Sequence, residues 1–278
     1  MNLNRLISIV AALICGAATS FSQQPGALAR LSVVSMRAEP RHSAEQVSQA
    51  LMGTPCIILE KGQDWSRVQT PDGYEGWIIN HSLAFKSPRE MDQWANSRLM
   101  MVTAPFEIHD ADRRTDLVHG DILQAVGPDS LRLPDGRMIL APKDAIMPLA
   151  DVQARPFDAS LLPLWAEQYL GVPYVWGGLS SKGMDCSGLV RMAFAAQGRT
   201  LPRDAWQQAL EGREVPADSL RPGDLIFFGR KKITHVAIYA GDGEFIHASE
   251  LVRRNSLNPS SPIYLPLPPI KARRRINP

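Results

Sequence analysis

The sequence predicts an α+β domain that is preceded by two small all-β units. Three observations lead to this prediction. The 278-residue length suits two domains at about 150 residues each, or three if some of them are small. Short strand-like runs with glycine and proline turns fill the first half of the chain. In the second half, helical apolar stripes come before strand-like runs, which is typical of an α+β domain with an antiparallel sheet.

The first β unit contains a turn signal between two strand-like runs. In Pro71-Asp72-Gly73 the proline presets φ near −65° and the glycine accepts positive φ, so the flanking runs can form a hairpin. The same signal recurs as Pro134-Asp135-Gly136, and Gly53 and Gly120 precede the strand before each hairpin. This repetition predicts an internal duplication of a small barrel. The predicted copies span residues 27–86 and 95–150, with the polar segment 87–96 as a bridge.

The predicted α+β domain spans residues 158–278. Leu161–Leu170 and Cys186–Gln197 are apolar helical stripes, each followed by a glycine. Three strand-like runs follow at residues 224–228, 234–239 and 244–248, and the short turns between them favour antiparallel neighbours. The basic stretch Lys271–Arg275 is predicted to be a solvated tail.

Residues 1–22 read as a secretory signal peptide. An apolar run at residues 6–18 follows Arg5 and is too short to cross a membrane as a helix. Small residues at 20 and 22 then suit cleavage before Gln23. The prediction is an exported chain, periplasmic or extracellular, without a transmembrane span. The alternative is a lipoprotein modified at Cys15, although the residue before Cys15 is the large Ile14.

The composition excludes several functional classes. Thirty basic and 28 acidic side chains give a net charge of +2, which does not favour nucleic-acid binding. The three cysteines contain no CxxC pair, so neither a structural zinc site nor a disulfide framework is predicted. We expect no metal, no other cofactor, and a monomer.

One thiol and two imidazoles form the candidate reactive group. Cys186 lies where a glycine-rich loop meets a predicted helix start. Free N–H groups at a helix N-terminus favour a thiolate and can hold an oxyanion. His235 shares a predicted strand face with Ala237, which we expect to face the helix of Cys186, and His247 lies on the next strand. The result is a nucleophile, a base and a group that orients the base. From the residues alone, structural roles or a Cys/His/His metal site remain alternatives.

These residues stand in motifs that resemble the NlpC/P60 family of cell-wall cysteine peptidases. The resemblance implies a papain-like fold with Cys186 as nucleophile, His235 as general base and His247 as its orienting partner. It also implies that Tyr174 helps to hold the oxyanion and that Trp176 contacts substrate. The motifs that carry the resemblance are Leu170–Gly178, Gly183–Leu189, Leu201–Asp204, Leu220–Phe228, Thr234–Tyr239 and Phe245–Ala248.

The two β units then resemble bacterial SH3-like domains. Their arrangement resembles a subgroup that hydrolyses the bond between γ-D-Glu and an L-diamino acid in murein stem peptides. In that subgroup the first SH3-like domain closes one end of the cleft and the free amine of an N-terminal L-Ala binds there. The resemblance implies that Asp204, Glu39 and Tyr74 hold this amine, since carboxylates and a phenol oxygen suit an ammonium.

The same resemblance implies that Asp185 and Ser187 contact the D-Glu portion of the substrate. Ala205 departs from the subgroup, which often has serine after the Arg-Asp pair, so one substrate hydrogen bond is in doubt. Two alternatives remain: a related thiol amidase or acyltransferase acting on another amide, and a wall-binding protein with a vestigial catalytic domain. The intact set of Cys186, His235 and His247 argues against the second alternative.

Overall fold

A computed structural model describes residues 26–110 and 113–277 of the chain. The predicted signal peptide, including Cys15, lies outside the described residues. Within the described ranges, none of the helices has the length and apolar character needed to span a membrane.

The first β unit is one antiparallel sheet of seven strands in the order β3-β2-β6-β5-β4-β1-β7. Its core is formed by alternate side chains of these strands, among them Met36, Val68 and Ile78, which are fully buried. Cys56 is also fully buried here, as expected for a small thiol in a strand. The strands are β1 (Gly26–Ala29), β2 (Val33–Arg37), β3 (Gln46–Leu51), β4 (Pro55–Lys61), β5 (Trp65–Gln69), β6 (Glu75–Ile79) and β7 (Leu83–Lys86).

The polar bridge between the units is a helix, α1 (Pro88–Ala95), which the sequence analysis did not predict. Ser87 caps it: its side chain accepts a hydrogen bond from the Glu90 N–H, and the Glu90 carboxylate accepts one from the Ser87 N–H at 2.8 Å. This reciprocal capping box, with proline at the first helical position, satisfies N–H groups that a helix start otherwise leaves unpaired.

The second β unit repeats the strand pairing of the first. Its hairpin β9–β10 corresponds to β2–β3, and its sheet order β13-β12-β11-β8-β14 corresponds to β6-β5-β4-β1-β7. The predicted turns are present, since Gly73 and Gly136 both adopt positive φ, at 77° and 92°. The strands are β8 (Leu99–Val102), β9 (Phe106–Asp110), β10 (Arg113–Leu117), β11 (Ile122–Ala125), β12 (Ser130–Arg132), β13 (Met138–Leu140) and β14 (Ile146–Pro148).

The expectation of two barrels is not confirmed. In the described residues, the strand order of the first sheet begins at β3 and ends at β7 without a pairing between them. The second unit is divided into a five-stranded sheet and a separate two-stranded hairpin. The units therefore share a pairing scheme, but neither sheet closes on itself.

The C-terminal domain places helices against a six-stranded antiparallel sheet of order β17-β22-β18-β19-β20-β21, as predicted. Its helices are short, and the predicted stripe at 161–170 is helical only at α3. The elements, which follow α2 (Leu149–Ala154), are α3 (Leu162–Glu167), β15 (Leu179–Ser180), β16 (Gly183–Met184), α4 (Cys186–Ala195), α5 (Ala205–Gln208), β17 (Arg213–Glu214), β18 (Leu225–Phe228), β19 (His235–Gly241), β20 (Glu244–Ser249), β21 (Leu251–Ser256) and β22 (Ile270–Arg275).

The basic C-terminal stretch is not a solvated tail. It forms β22, which pairs with β17 on one side and β18 on the other. Arg275 forms an ion pair at 2.7 Å with Asp224, whose side chain is only 1% exposed. Because a partner elsewhere in the domain neutralises this charge, a run that looks solvent-exposed in sequence can lie inside a sheet.

Polar side chains join the three units. Lys182 of the C-terminal domain bonds both to Ser32 of the first unit, at 2.9 Å, and to Asp116 of the second, at 2.8 Å. The carboxylate of Asp121, fully buried, accepts a hydrogen bond from the Met52 N–H at 2.8 Å. These contacts hold the first unit against the edge of the C-terminal domain, where the candidate site lies.

Candidate functional site

Cys186 is the first residue of α4, as predicted, and the loop before it is tightly packed. Asp185 is the N-cap, and its carboxylate accepts hydrogen bonds from the Gly188 N–H at 2.7 Å and the Gly177 N–H at 2.9 Å. A Cβ on Gly188 would lie 2.1 Å from the Gly178 carbonyl oxygen, so only glycine fits there. This close packing sets the direction in which the thiol points.

The thiol of Cys186 lies near the start of β19. The β19–β20 pairing begins at Ile238, and the backbone of Val236, nearer the start of β19, is one of the groups that lower the pKa of the thiol. Val236 follows His235 directly, so the thiol is a neighbour of the strand position that carries the imidazole. No hydrogen bond joins the thiol to His235 itself within the described residues. Cys186 is 6% exposed.

The protonation states of Cys186 and His235 differ from the expected thiolate. Burial, followed by the negative charge of Asp185, raises the pKa of the Cys186 thiol to about 12 and outweighs the N–H groups of Val236 and Ser187. Burial, followed by the neighbouring His247, lowers the pKa of His235 to about 3. Both groups are therefore neutral in the resting protein at neutral pH, because desolvation penalises charge more than the helix start favours it.

The two imidazoles are joined in a chain that ends at Asn255. His235 Nε2 lies 2.8 Å from His247 Nδ1, and His247 Nε2 lies 3.0 Å from Asn255 Oδ1. The Asn255 amide donates to the Ile263 carbonyl at 2.8 Å, which fixes its oxygen as an acceptor. His247 must then donate from Nε2 and accept at Nδ1, and His235 must donate from Nε2. This assignment leaves Nδ1 of His235 unprotonated and able to accept a proton.

The predicted face of β19 is wrong, although the pairing of the two histidines is present. Val236 and Ile238 pack in the core cluster of α4. Ala237 packs on the other side of the sheet with Phe228 and Phe245. His235, at the first position of the strand, packs against Phe228 and His247, with ring centroids 5.9 and 5.0 Å away.

Tyr174 lies beside the thiol, half-buried. Its N–H donates to the Glu250 carbonyl at 2.8 Å, which ties the loop to the start of β21. Burial and then the charge of Cys186 raise the pKa of Tyr174, so its hydroxyl remains a donor at neutral pH. In the described residues the Cys186 N–H has no hydrogen-bond acceptor either. These are two donors of the kind that an oxyanion requires.

Asp185 and Ser187 form a buried network instead of an open substrate contact. They are 6% and 5% exposed, and both bond to Arg203. Arg203 Nη2 lies 2.6 Å from Asp185, and its Nη1 lies 2.9 Å from Ser187 Oγ. Because the carboxylate of Asp185 already accepts five hydrogen bonds, its side chain positions the nucleophile loop and is not free for D-Glu.

Arg203 itself was not among the predicted site residues. It is 2% exposed, and its Nε donates to Ser48 of the first unit at 3.1 Å. The sequence contains a signal for it only in hindsight: an arginine beside the predicted Asp204, within an otherwise apolar segment. A buried arginine requires charged or polar partners, and those partners lie 16 to 155 residues away in the chain.

Asp204 and Tyr74 meet across the boundary between the first unit and the C-terminal domain. Each is among the groups that shift the pKa of the other, and both are half-buried. Burial raises the pKa of Asp204, and burial followed by the charge of Asp204 raises the pKa of Tyr74 to about 12. The pair presents a carboxylate and a phenol oxygen side by side.

Glu39 is not brought to this pair within the described residues. It is exposed, and its carboxylate bonds to Arg41 of the same loop at 3.1 Å. The acidic residue of that loop that reaches the C-terminal domain is Glu45, which accepts a hydrogen bond from the indole N–H of Trp176 at 2.7 Å. Gln46 adds a bond to the Trp176 carbonyl at 2.8 Å. The first unit therefore contacts the C-terminal domain at Trp176, whose side chain remains 59% exposed.

Comparison with known proteins agrees with this architecture. Residues 171–264 match the NlpC/P60 family and residues 32–84 match the bacterial SH3 domain. A dipeptidyl-peptidase 6 from Lysinibacillus sphaericus is 30% identical over 256 residues, covering 84% of this chain and 92% of the relative. A gamma-D-glutamyl-L-lysine dipeptidyl-peptidase from Bacillus cereus is 29% identical over 250 residues, covering 78% of this chain and 72% of the relative.

A solved structure shares the fold over nearly the whole chain. The crystal structure of an NlpC/P60 family protein from Bacillus cereus superposes with a TM-score of 0.76 at 24% identity, covering 91% of this chain and 100% of the other. This similarity shows the shared fold; the match over residues 171–264 and the 30% identity to the dipeptidyl-peptidase 6 show that the chain belongs to the NlpC/P60 family.

Proposed function

We propose that this protein is an exported cysteine endopeptidase that hydrolyses the bond between γ-D-Glu and the L-diamino acid in murein peptides with a free N-terminal L-Ala. The observation that carries the proposal is the hydrogen-bonded chain from His235 through His247 to Asn255, together with the effect of Val236, the residue after His235, on the Cys186 thiol. The relatives named as dipeptidyl-peptidases support the substrate class.

The neutral resting pair defines the order of proton transfers. As the Cys186 sulfur attacks the γ-carbonyl carbon, the thiol proton passes to the free Nδ1 of His235, whose charge His247 and Asn255 then stabilise. The carbonyl oxygen becomes an oxyanion, for which the Cys186 N–H and the Tyr174 hydroxyl supply donors. When the C–N bond breaks, His235 returns the proton to the leaving amine. Water then attacks the thioester carbonyl while His235 accepts its proton; the C–S bond breaks, the dipeptide is released, and His235 returns the proton to the Cys186 sulfur.

The closed end of the groove accounts for a requirement for a free amine. Asp204 and Tyr74 offer a partly desolvated carboxylate and phenol oxygen, which favour an ammonium over a neutral acetamide. The contacts of Trp176 with Glu45 and Gln46 hold the first unit against the C-terminal domain, which supports a site that is closed on this side. A substrate with two residues before the scissile bond fits such a site, whereas a stem still attached to glycan does not.

We also propose the following division of the chain: signal peptide 1–22, SH3-like domain 27–86, second SH3-like domain 95–150, and catalytic domain 158–278. The strand-for-strand correspondence of pairings supports common ancestry of the two β units. The second unit then acts as a spacer and support, through contacts such as that of Asp116 with Lys182. We expect the mature protein to be a monomer.

Mass spectrometry of a defined peptide tests the proposal. L-Ala-γ-D-Glu-diaminopimelate should yield the L-Ala-D-Glu dipeptide and free diaminopimelate, and the N-acetylated peptide should remain intact. Cys186→Ala should abolish turnover while retaining the circular dichroism spectrum, because the change removes the attacking sulfur and little volume. Cleavage of the acetylated peptide at the same rate would contradict the closed groove, and cleavage by Cys186→Ala would contradict the mechanism.

A further inference from the structure

We propose that Arg253, together with the basic loop 230–232, binds a carboxylate on the leaving diamino acid, so that the enzyme prefers a diamino acid with a second carboxylate, such as diaminopimelate, over lysine. This inference rests on the proposed function and names the substrate class on the leaving-group side of the same site.

The strand register places Arg253 beside the histidine pair. His247 on β20 is directly opposite Arg253 on β21, and directly opposed residues of an antiparallel pair project from the same face. His235, His247 and Arg253 therefore lie on three successive strands. The positive charge of Arg253 is one of the causes that lower the pKa of His247, after burial, which agrees with this proximity.

The guanidinium of Arg253 has unused bonding capacity. Its Nε is buried and has no hydrogen-bond partner among the described residues. Its Nη1 lies 3.3 Å from a carboxylate oxygen of Glu250, a long contact to a side chain that is 79% exposed. A carboxylate bound to arginine in the usual bidentate geometry would accept hydrogen bonds from Nε and one Nη together. Glu250 can leave at little cost, because an exposed ion pair contributes little.

The loop before His235 adds three further cations. Arg230, Lys231 and Lys232 are exposed, and in the described ranges none of them has an acidic partner. A tight turn at Gly229, where a Cβ would lie 1.9 Å from the Lys232 carbonyl oxygen, brings the loop back into β19. The loop thus lies three residues before His235 in the chain, and its positive charge raises the local concentration of anionic groups at this end of β19.

The chemistry of the proposed reaction puts the leaving group on this side. His235 must donate a proton to the departing amine, so the diamino acid leaves next to the imidazole and towards β20 and β21. Asp204 and Tyr74 meet where the C-terminal domain contacts the first unit, away from β21 in the chain and in the sheet order. In the proposed site the acidic pair takes the substrate amine and Arg253 takes a substrate carboxylate. Lysine brings only an ammonium at the end of its side chain, whereas diaminopimelate brings a carboxylate as well.

The test compares two peptides that differ only in the leaving residue: L-Ala-γ-D-Glu-meso-diaminopimelate and L-Ala-γ-D-Glu-L-Lys. We expect the wild-type enzyme to have a kcat/KM about tenfold higher for the diaminopimelate peptide, which is of the order of one charge-assisted contact. Arg253→Gln should bring the ratio to within about twofold of one. Because both rates are measured on one preparation, the folded fraction and any effect on the histidines cancel in the ratio.

Arg254→Gln is the matched control. Arg254 lies on the same strand but faces the other way, where it pairs with Glu244 at 2.8 Å and with Glu167. This variant should keep the wild-type ratio even if it is less stable. The triple variant Arg230→Gln, Lys231→Gln, Lys232→Gln should lower the ratio of the two kcat/KM values less than Arg253→Gln does. Added salt should reduce the contribution of the loop to this ratio in the wild-type enzyme, since salt screens exposed charges.

Several outcomes would overturn the inference. A wild-type ratio near one, or an unchanged ratio in Arg253→Gln, would show that the guanidinium does not bind a carboxylate of the leaving diamino acid. An equal loss on both peptides would place Arg253 against a carboxylate that they share, such as that of D-Glu. If neither peptide released L-Ala-D-Glu, the proposed function itself would fail, and that result is distinct from equal cleavage of both.

Discussion

The substitution Arg203→Met should destabilise the protein by about 3–5 kcal/mol, which is the usual cost of removing one partner of a buried ion pair. The side chains of Arg203 and Asp185 are 1% and 8% exposed, so solvent screens their interaction little. Methionine fills a similar space but leaves the Asp185 carboxylate without its cation. It also removes the donors to Ser187 and Ser48. The loss of stability and a loss of activity should occur together, because Asp185 and Ser187 flank the nucleophile.

Urea unfolding at pH 7, followed by tryptophan fluorescence and far-ultraviolet circular dichroism, measures this free energy. Two probes are needed because a chain of several domains can unfold in more than one step. Arg41→Met is the control: its ion pair with Glu39 is exposed, and we expect no measurable change. The double variant Arg203→Met, Asp185→Asn should be more stable than Arg203→Met alone, because it removes the unpaired buried charge. A cost below about 1 kcal/mol for Arg203→Met would refute the reasoning.

Three further predictions concern titration and positioning at buried groups. The rate at which iodoacetamide alkylates Cys186 should be low at pH 7 and rise steeply above pH 9, because the pKa of the thiol is raised to about 12. A rate already maximal at pH 5 would instead show a thiolate paired with charged His235. Burial lowers the pKa of His119 to about 4, so as the pH falls below about 6.5 the unfolded chain takes up a proton before the folded protein does, and the folded protein loses stability. His119→Gln should reduce the stability that is lost between pH 7 and pH 4.5 by about 2 kcal/mol. An unchanged dependence of stability on pH would contradict this. Asn255→Ala should lower kcat about tenfold with KM nearly unchanged, because His247 loses the acceptor that sets its tautomer, and full activity would show that this bond is dispensable.

Local features of the sequence were sufficient for much of the fold. The Pro-Asp-Gly turns specify hairpins because proline and glycine restrict φ within the turn itself, and both hairpins are present. The apolar stripe after Cys186 predicts α4 because helical periodicity depends on residues within a few positions of one another. The α1 helix was missed although Ser87 and Glu90 form a local capping signal, so that error lay in the interpretation of the pattern.

Resemblance to the family brought together residues that no local pattern connects. Cys186 and His247 are far apart in sequence, and strand periodicity groups His235 with Ala237 without showing that the opposite face, with Val236 and Ile238, packs on the helix of Cys186. The acidic residue that contacts Trp176 shows the same limit. Glu39 and Glu45 lie in one loop, and only the packing of that loop decides which carboxylate reaches Trp176.

The sequence by itself determined the turns, the helix that begins at the cysteine and the adjacency of β18, β19 and β20, since these depend on neighbours in the chain. Only the tertiary structure decided that His235 and His247 are joined to Asn255, that Arg203 is buried between two domains, and that the basic C-terminal stretch is an inner strand. The physical reason is the same in each case. A buried polar group is stable only beside its partner, and the partner is supplied by a distant part of the chain.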